Sequence, residues 1–283
     1  MRTALRRRIR TVFAGAFFAL FGVGSFVFGL LLVPLLVLLP EIARRRVAGT
    51  LNRALWRVLT ALMSAFRLVK VRISREDAAV LRRSRGAIVA ANHPSLLDVV
   101  CLLVQTPRPV CFVKGALLHN VFMRRVVSIA HLPGSLPAAV LFRKSAQLLA
   151  AGFNILIFPE GTRTIPGCRA EFHRGAAHLA LRTGAPILPV KISVEPQILG
   201  KHQAWSDVSD RCVIYTLRVF PPLLPQDFSE NEKTETAPAA GAENARSGTE
   251  NPANAGAPSA GTPHFHVPAK KLSARLEQLL LGD

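Results

Sequence analysis

The sequence contains few of the residues that build disulfide-linked or metal-stabilised proteins. It has four cysteines among 283 residues, and no two of them form a CxxC pair. Three of the four, Cys101, Cys111 and Cys212, lie in apolar runs. This pattern predicts reduced thiols in a protein that faces the cytosol, and it offers no set of metal ligands.

Acidic residues are also scarce. The chain has 17 Asp and Glu residues against 36 Lys and Arg residues, and its formal net charge is +19. The imbalance is concentrated in residues 1–85, which contain 17 basic and 3 acidic residues. Such a basic segment indicates a polyanionic partner, either nucleic acid or an anionic membrane surface.

Charge is absent from the 30 consecutive positions between Thr11 and Pro40. Nucleic-acid binding does not explain this apolar run, and the sequence has no nucleic-acid-binding motif, so we expect a membrane partner and no nucleic acid. As one helix the run would be about 45 Å long, against about 30 Å of hydrocarbon. It predicts either a tilted single span or a re-entrant hairpin, broken near Gly22, Gly24, Gly29 or Pro34. Five arginines in residues 1–10 and five in residues 41–57 favour the hairpin, with both ends cytoplasmic.

The next segment, residues 41–66, has apolar residues at helical spacing among five arginines. It predicts either an ordinary surface helix or a basic amphipathic helix that lies on anionic lipid. Its position next to the apolar run favours lipid contact. The apolar residues are Val47, Leu51, Leu55, Val58, Leu59, Leu62 and Phe66.

Beyond Leu68, strand-like and helix-like stretches alternate, which predicts an α/β domain with a mostly buried mixed sheet flanked by helices. We expect this domain to span residues 67–228, after a membrane segment and basic helix in residues 1–66. Residues 229–263 contain no Val, Ile, Leu, Met or aromatic residue. This composition predicts a disordered linker. A short C-terminal helix is expected in residues 264–283. Predicted strands lie at 69–73, 87–91, 109–114, 154–159, 186–192 and 212–219.

The stretch "NHPSLLD" at residues 92–98 comes directly after one predicted strand. Pro94 disfavours a helical conformation for His93 and suits the first position of a helix, so we expect the helix to begin at Pro94. Side chains on a helix lean toward its N-terminus, which would bring Asp98 back to His93 as the partner of a general base. The pair His202 and Asp207 has the same spacing but neither the strand nor the proline, and we interpret it as accidental.

A second polar stretch, "FPEGTR" at residues 158–163, lies at the end of the strand at 154–159. Gly161 allows close backbone approach, and Arg163 offers a fork that suits a phosphate. Glu160 could hold that arginine or a substrate hydroxyl. The sequence has no GxSxG elbow, which argues against a serine esterase.

"NHPSLLD", "FPEGTR", "FHRGAAHLAL" (172–181) and "APILPVKI" (185–192) occur in this order after a basic, apolar N-terminus. Together they resemble the glycerolipid acyltransferase family typified by 1-acylglycerol-3-phosphate acyltransferases, over roughly residues 60–220. The resemblance implies transfer of a fatty acyl group from acyl-CoA or acyl carrier protein to a hydroxyl of a lysolipid. The acceptor it implies first is 1-acylglycerol-3-phosphate, which would give phosphatidic acid. Another lysolipid is an alternative acceptor, and a non-catalytic module that binds anionic lipid is a rival from a different class.

By the same resemblance, His93 is the general base and Asp98 its partner. The acceptor-binding residues implied are Lys114, Glu160, Gly161, Thr162 and Arg163, and no metal or cofactor beyond the acyl donor is implied. One block departs from the family pattern, because residues 129–145 lack the usual apolar strand that ends in a basic residue. Arg143 or Lys144 would have to substitute for it, and this departure gives weight to a different acceptor. The expected location is a membrane, with the active site on the cytoplasmic face.

The negatively charged oxygen of the tetrahedral intermediate also needs hydrogen-bond donors. We expect these to be the free backbone N–H groups at the start of the helix, from Ser95 onward.

Overall fold

A computed structural model of the protein describes residues 2–122, 124–165, 167–168, 172–229 and 266–282. In this part of the chain, strands form one sheet, flanked by helices on both faces. The strands are β1 (Val69–Ile73), β2 (Ile88–Ala91), β3 (Pro109–Val113), β4 (Leu132–Pro133), β5 (Asn154–Ile157), β6 (Ile187–Glu195) and β7 (Val213–Val219). Their order across the sheet is β1-β7-β6-β2-β5-β3-β4.

The helices alternate with the strands as the sequence predicts. They are α1 (Arg2–Leu36), α2 (Glu41–Ala65), α3 (Arg75–Arg83), α4 (Asp98–Gln105), α5 (Ala116–His119), α6 (Arg124–Ala130), α7 (Ala138–Ala150), α8 (Gly175–Thr183), α9 (Gln226–Ser229) and α10 (His266–Leu281). The C-terminal helix is therefore present as α10. The linker predicted for residues 229–263 lies, apart from Ser229, outside the described residues.

Five neighbouring strands, from β6 through β2, β5 and β3 to β4, run parallel. Their carboxyl ends therefore lie at one edge of the sheet, where the connecting loops of α/β proteins gather their functional groups. Strand β7 is antiparallel to β6 and parallel to β1, which makes the sheet mixed. The predicted mixed and mostly buried sheet is thereby confirmed.

Two apolar clusters cover the two faces of the sheet. On one face, Leu149, Leu179 and Leu276 bring α7, α8 and α10 against the central strands. On the other face, Leu81 and Leu102 bring α3 and α4 against β7 and the alternate residues of β2. All four residues of β2 are buried because helices pack on both of its sides.

The N-terminal apolar run is one continuous helix as far as Leu36, so the hairpin break predicted near Gly22, Gly24, Gly29 or Pro34 is wrong. Pro34 lies in the last turn of α1, and the helix ends two residues later, at Leu36. The chain instead turns after the helix, in residues 37–40, and α2 returns along α1. Phe21 of α1 stacks on Trp56 of α2 at 4.4 Å between ring centroids.

Both ends of α1 are attached to the α/β domain. Near the first end, the guanidinium of Arg10 donates hydrogen bonds to backbone oxygens of Arg67, Leu68, Ser209 and Arg211. At the other end, Leu36 packs in a small cluster with Ile129 of α6. The helix therefore lies along the domain.

Helix α2 matches the helix predicted for residues 41–66, but its apolar stripe does not face the domain. The buried positions are mostly small or polar: Arg45, Ala48, Gly49, Asn52 and Leu59. Arg45 reaches into the domain, where it donates to the backbone oxygens of Ile129 and His131. Most of the predicted apolar stripe is exposed on the outer surface, namely Val47, Leu51, Val58, Leu62 and Phe66.

Candidate active site

Four loops meet at the carboxyl edge of the parallel strands. Residues 92–97 come after β2, residues 158–164 after β5, Lys114 after β3, and residues 196–200 after β6. Because β2 lies between β5 and β6, the loop that carries His93 has a polar loop on each side. The two motifs, which are well separated in the sequence, are thus adjacent in the fold.

His93 and Asp98 are in contact, with 2.9 Å between His93 Nδ1 and Asp98 Oδ2. Because an ionised carboxylate only accepts, this contact places the neutral imidazole's proton on Nδ1 and leaves Nε2 as a free acceptor. The side chain of Asp98 is fully buried, whereas that of His93 is 15% exposed. The exposed side of the imidazole can therefore meet a substrate.

The route by which Asp98 reaches His93 differs from the predicted one. Helix α4 begins at Asp98 itself, and residues 94–97 form turns, so the predicted start at Pro94 is wrong. The backbone N–H of Ser95 donates to Asp98 Oδ2 at 2.6 Å, and this bond closes the turn. A side chain that binds the backbone three residues earlier stabilises a turn instead of the helix, which explains the late start.

Burial raises the pKa of Asp98 to about 6, and the hydrogen bonds from His93 and Ser95 oppose that rise. Both bonds go to Oδ2. The other oxygen, Oδ1, is buried and has no hydrogen-bond partner among the described residues. The carboxylate is thus ionised at neutral pH in a poorly solvated place, where its charge acts more strongly on nearby groups than it would in water.

The turn after β5 holds the backbone of His93. Glu160 Oε1 accepts hydrogen bonds from the His93 N–H and the Thr164 hydroxyl, both at 2.9 Å, and the Thr164 N–H donates to the His93 carbonyl. The predicted bond between Glu160 and Arg163 is not among these contacts. Glu160 is 5% exposed, and its Oε2 has no partner within the described residues.

Two further contacts fix the imidazole plane and the shape of the turn. The ring of Phe158 stacks on His93, with centroids 4.2 Å apart and an interplanar angle of 26°. Gly161 has φ +63°, and a Cβ at this position would lie 3.0 Å from the ring of His173. The close approach predicted for Gly161 is therefore to another side chain of the protein.

The loop after β6 holds the "NHPSLLD" turn from its other side. Asn92 exchanges two hydrogen bonds with the backbone of Ile192, and Gln197 Nε2 donates to the Pro94 carbonyl. The Leu96 N–H donates to Leu199 O. The backbone N–H groups of Ser95 and Leu96 are thus already bonded, so they are not the free oxyanion donors that the sequence predicts.

Arg163 lies beside this loop and uses part of its guanidinium there. Its Nη1 donates to Leu199 O and Gly200 O, both at 2.8 Å. An arginine side chain carries five N–H donors, so several remain for a ligand. Lys114 is exposed at the end of β3, at the same edge, and Thr162 is partly exposed beside Arg163.

The second histidine pair does not form in the structure. His202 is exposed with φ +70°, and the Asp207 carboxylate accepts a hydrogen bond from the Ala204 N–H. Throughout the described ranges, no three His, Cys, Asp or Glu side chains come together as a metal-binding group.

Comparison with known proteins agrees with this arrangement. The family model described as Acyltransferase matches residues 72–193, which include both motifs of the site. Over those residues the chain is similar to the acyltransferases that this family model describes. Among curated relatives, it is 28% identical over 155 residues to a 1-acyl-sn-glycerol-3-phosphate acyltransferase from Cocos nucifera, covering 52% of this chain and 48% of the relative.

A mouse (Mus musculus) relative, 1-acyl-sn-glycerol-3-phosphate acyltransferase alpha, is 26% identical over 178 residues, covering 60% of this chain and 61% of the relative. The chain therefore spans about half to three-fifths of the length of these curated relatives. The crystal structure of the 1-acyl-sn-glycerophosphate (LPA) acyltransferase from Thermotoga maritima superposes with a TM-score of 0.58 at 20% identity, and covers 82% of this chain and 91% of that chain. The likeness in fold thus extends well beyond residues 72–193.

The contacts of Arg163 give a first testable prediction. We expect Arg163→Ala to raise the apparent KM for a lysolipid acceptor by about tenfold or more, because a charged hydrogen bond to a bound anion contributes roughly 1.5–3 kcal/mol. Steady-state kinetics with the acceptor varied measures this. Arg83→Ala, which removes an exposed arginine from α3, is the matched control and should leave KM unchanged. A loss in kcat alone would contradict a role in acceptor binding.

Proposed function

We propose that this protein moves a fatty acyl group from a thioester donor to the hydroxyl of a lysolipid at a membrane surface. The acceptor proposed first is 1-acylglycerol-3-phosphate, with phosphatidic acid as the product. The observation that carries the proposal is the His93–Asp98 contact at the carboxyl edge of the sheet, with Arg163 beside it. The names of the curated relatives support the same acceptor.

The chemistry needs one proton acceptor and one partner for the charge that develops on it. His93 Nε2 takes the hydroxyl proton as the acceptor oxygen forms a bond to the thioester carbonyl carbon. The negative charge of Asp98 stabilises the imidazolium. When the tetrahedral intermediate collapses, the carbon–sulfur bond breaks, and the imidazolium returns its proton to the leaving thiolate. The products are an ester and a free thiol, and no covalent enzyme intermediate is required.

The acceptor's head group would bind at the same edge. The N–H groups of Arg163 that do not bond to residues 199 and 200 are donors for a phosphate, and Lys114 adds a positive charge at the end of β3. A planar guanidinium with one side anchored to the backbone is held in orientation, which lowers the entropy cost of binding.

A different lysolipid is the second candidate, because the chain after β4 lacks a basic residue close to the strand. The strand ends at Pro133, and the next two residues are Gly134 and Ser135. Arg143 and Lys144 lie on α7, ten and eleven residues after the strand end, and Arg143 is exposed. The site thus has fewer cations near the acceptor than the family pattern implies, which favours an acceptor with a smaller or less anionic head group.

An acyl-transfer assay would test both candidates. The purified protein is given each of a panel of lysolipids, with acyl-CoA and with acyl carrier protein as donors, and products are identified by mass spectrometry. We expect a new diacyl product, formed fastest from 1-acylglycerol-3-phosphate. Faster transfer to another lysolipid would select the second candidate, and no transfer from either donor to any acceptor would refute an acyltransferase function.

We also propose that α1 and α2 bind the membrane in its plane, on the cytoplasmic side, without crossing it. Residues Arg7–Leu31 form a helix long and apolar enough to cross a membrane. However, both ends of α1 contact the domain, which supports insertion from one side. The outer surface is apolar along α1 and α2, for example at Val12, Val23 and Val58. Exposed arginines lie beside this apolar surface, where their positive charge would attract anionic lipid head groups.

The apolar surface continues toward the site. Trp205 is 53% exposed and contacts Phe18 of α1 edge-on. It lies close in sequence to residues 199 and 200, whose carbonyls bind Arg163. Leu96, in the turn before Asp98, is 47% exposed. A lysolipid that remains in the membrane could therefore present its hydroxyl to His93 without leaving the apolar surface.

Labelling with a membrane-impermeant maleimide tests the in-plane arrangement. Single cysteines replace Arg8 or Arg44, in a background where the exposed Cys168 and the partly exposed Cys212 are serine. We expect both to be labelled from the same, cytoplasmic side of sealed membrane vesicles of known orientation, because both flanks of the apolar run lie on the side of the domain. Labelling from opposite sides would show that α1 crosses the membrane.

A further inference from the structure

A buried polar pair lies directly behind the His93–Asp98 contact. The hydroxyl of Ser95 and the phenol of Tyr215 are 2.6 Å apart, and both residues are fully buried. Tyr215 is the sole tyrosine in the sequence and lies on β7, outside the residues 72–193 that match the family model. The proton transfers of the proposed mechanism do not use it.

The side chains that pack around the ring of Tyr215 are mostly apolar. Its neighbours in the cluster include Leu81, Leu102 and Leu217, and its cross-strand partners are Val71 and Val194. A phenylalanine would fill the same space and would leave no hydroxyl that needs a partner. The phenol is therefore not explained by packing. Its hydrogen bond within the described residues is to Ser95.

Ser95 connects this phenol to the catalytic carboxylate. Its hydroxyl meets Tyr215, while its own N–H donates to Asp98 Oδ2, the oxygen that His93 Nδ1 contacts. The two bonds of Ser95 leave from different atoms, so no proton can pass from Tyr215 to Asp98 through them. What the phenol can do is anchor the Ser95 hydroxyl, and so restrain movement of the Ser95 backbone, whose N–H holds the carboxylate.

We propose that Tyr215 is a positioning residue for the acyl-transfer site: through Ser95 it holds Asp98 Oδ2 where it can orient the His93 imidazole. This inference rests on the proposed function. Asp98 depends on the bond because its other oxygen has no partner among the described residues, so Ser95 and His93 together determine where the carboxylate lies. A shift of a catalytic group by a fraction of an ångström lowers the rate of a proton transfer without weakening substrate binding.

The kinetic test compares Tyr215→Phe with Leu217→Val, which alters a buried neighbour on the same strand and leaves the phenol intact. For Tyr215→Phe we expect kcat to fall about two- to twelvefold, as for the loss of one buried hydrogen bond, with KM for donor and acceptor unchanged. The acid limb of the pH profile of kcat/KM should move to higher pH, because a less well held carboxylate keeps its proton longer. Ser95→Ala should cost a similar factor, and the double variant should cost no more than either alone.

A second test does not require activity. With ¹³C at the ring carbon Cζ, the protein gives one tyrosine signal, since Tyr215 is the sole tyrosine. The titratable groups that face the phenol are Asp98 and Cys101, and Asp98 in turn faces His93 and Glu160. Burial raises the pKa of Cys101 far above neutrality, so that thiol does not ionise in this range. We expect the Cζ shift to follow pH near neutrality in the wild type and to be flat in Asp98→Asn and in Ser95→Ala.

Several results would overturn the proposal. Wild-type kcat in Tyr215→Phe would do so, as would an equal loss in Leu217→Val, or a lower kcat with an unchanged pH profile. A Cζ signal that does not respond to pH would also refute it. If the wild type transfers no acyl group to any acceptor, the proposed function fails, but the spectroscopic link between Tyr215 and Asp98 can still be observed or excluded.

Discussion

Replacing His93 with alanine should lower acyl transfer by about a hundredfold to ten-thousandfold, which is the range that a general base contributes. The effect should be in kcat, because the imidazole is the group in this site with a free proton-accepting nitrogen oriented by a buried carboxylate. The measurement is the steady-state rate of thiol release from the acyl donor in the presence of a lysolipid.

The chain provides a matched control in His202. It precedes an aspartate by the same five residues, but its imidazole is exposed, and Asp207 bonds to the Ala204 N–H instead. His202→Ala should therefore keep most of the activity, as should His202→Asn, which tolerates the φ of +70° better. Equal losses at the two histidines would contradict the assignment of the site.

Asp98→Asn should lower kcat by roughly a hundredfold or more while it leaves the turn intact. The Ser95 N–H and His93 Nδ1 both contact Oδ2, so an amide that keeps its oxygen at that position preserves both hydrogen bonds and the imidazole tautomer. What is lost is the negative charge that stabilises the imidazolium at 2.9 Å.

Asp98→Asn should lower activity but raise the free energy of unfolding at neutral pH relative to the wild type. The folded-state pKa of Asp98 is raised to about 6, above the ordinary value of 3.8. The wild type therefore loses stability as pH rises from about 4 through 6, because the folded protein binds a proton that the unfolded chain has released. Relative to Asp98→Asn, the free energy of unfolding of the wild type should fall by roughly 3 kcal/mol between about pH 4 and pH 7. Denaturant unfolding at the two pH values measures this, and a pH-independent difference would show that burial does not destabilise the Asp98 carboxylate.

The secondary structure is largely predictable because its signals are local. The strands at 69–73, 109–113 and 213–219 lie within one residue of their predicted bounds, because β-branched and other apolar residues are concentrated there. The apolar run of α1 is recognisable in the sequence, but its shape is not. Glycine and proline in a sequence permit a break in the helix. Where the helix lies is determined by the contacts of Arg10 and Leu36 with domain residues that are distant in the sequence.

At the site, the sequence identifies the functional residues that follow the strands. It does not identify the residues that hold those functional side chains in position. His93 and Glu160 stand out because each lies just beyond an apolar strand. The actual bond from the His93 N–H to Glu160 depends on β2 and β5 being neighbours, which the order of elements along the chain does not give. Tyr215 is separated by 120 residues from Ser95, and the only signal for it in the sequence is that no other tyrosine occurs. The predicted helix start is misplaced because the bond from the Ser95 N–H to Asp98 outweighs the preference of Pro94 for the first helical position.

The central claim is that this site transfers an acyl group to a lysolipid hydroxyl with His93 as the base. The most direct measurement is to mix the purified wild-type protein and His93→Ala with an isotopically labelled acyl thioester and 1-acylglycerol-3-phosphate, and to monitor labelled diacyl lipid and free thiol together. We predict equal amounts of the two products from the wild type and almost none from His93→Ala. Labelled diacyl lipid formed at the wild-type rate by His93→Ala would contradict the claim.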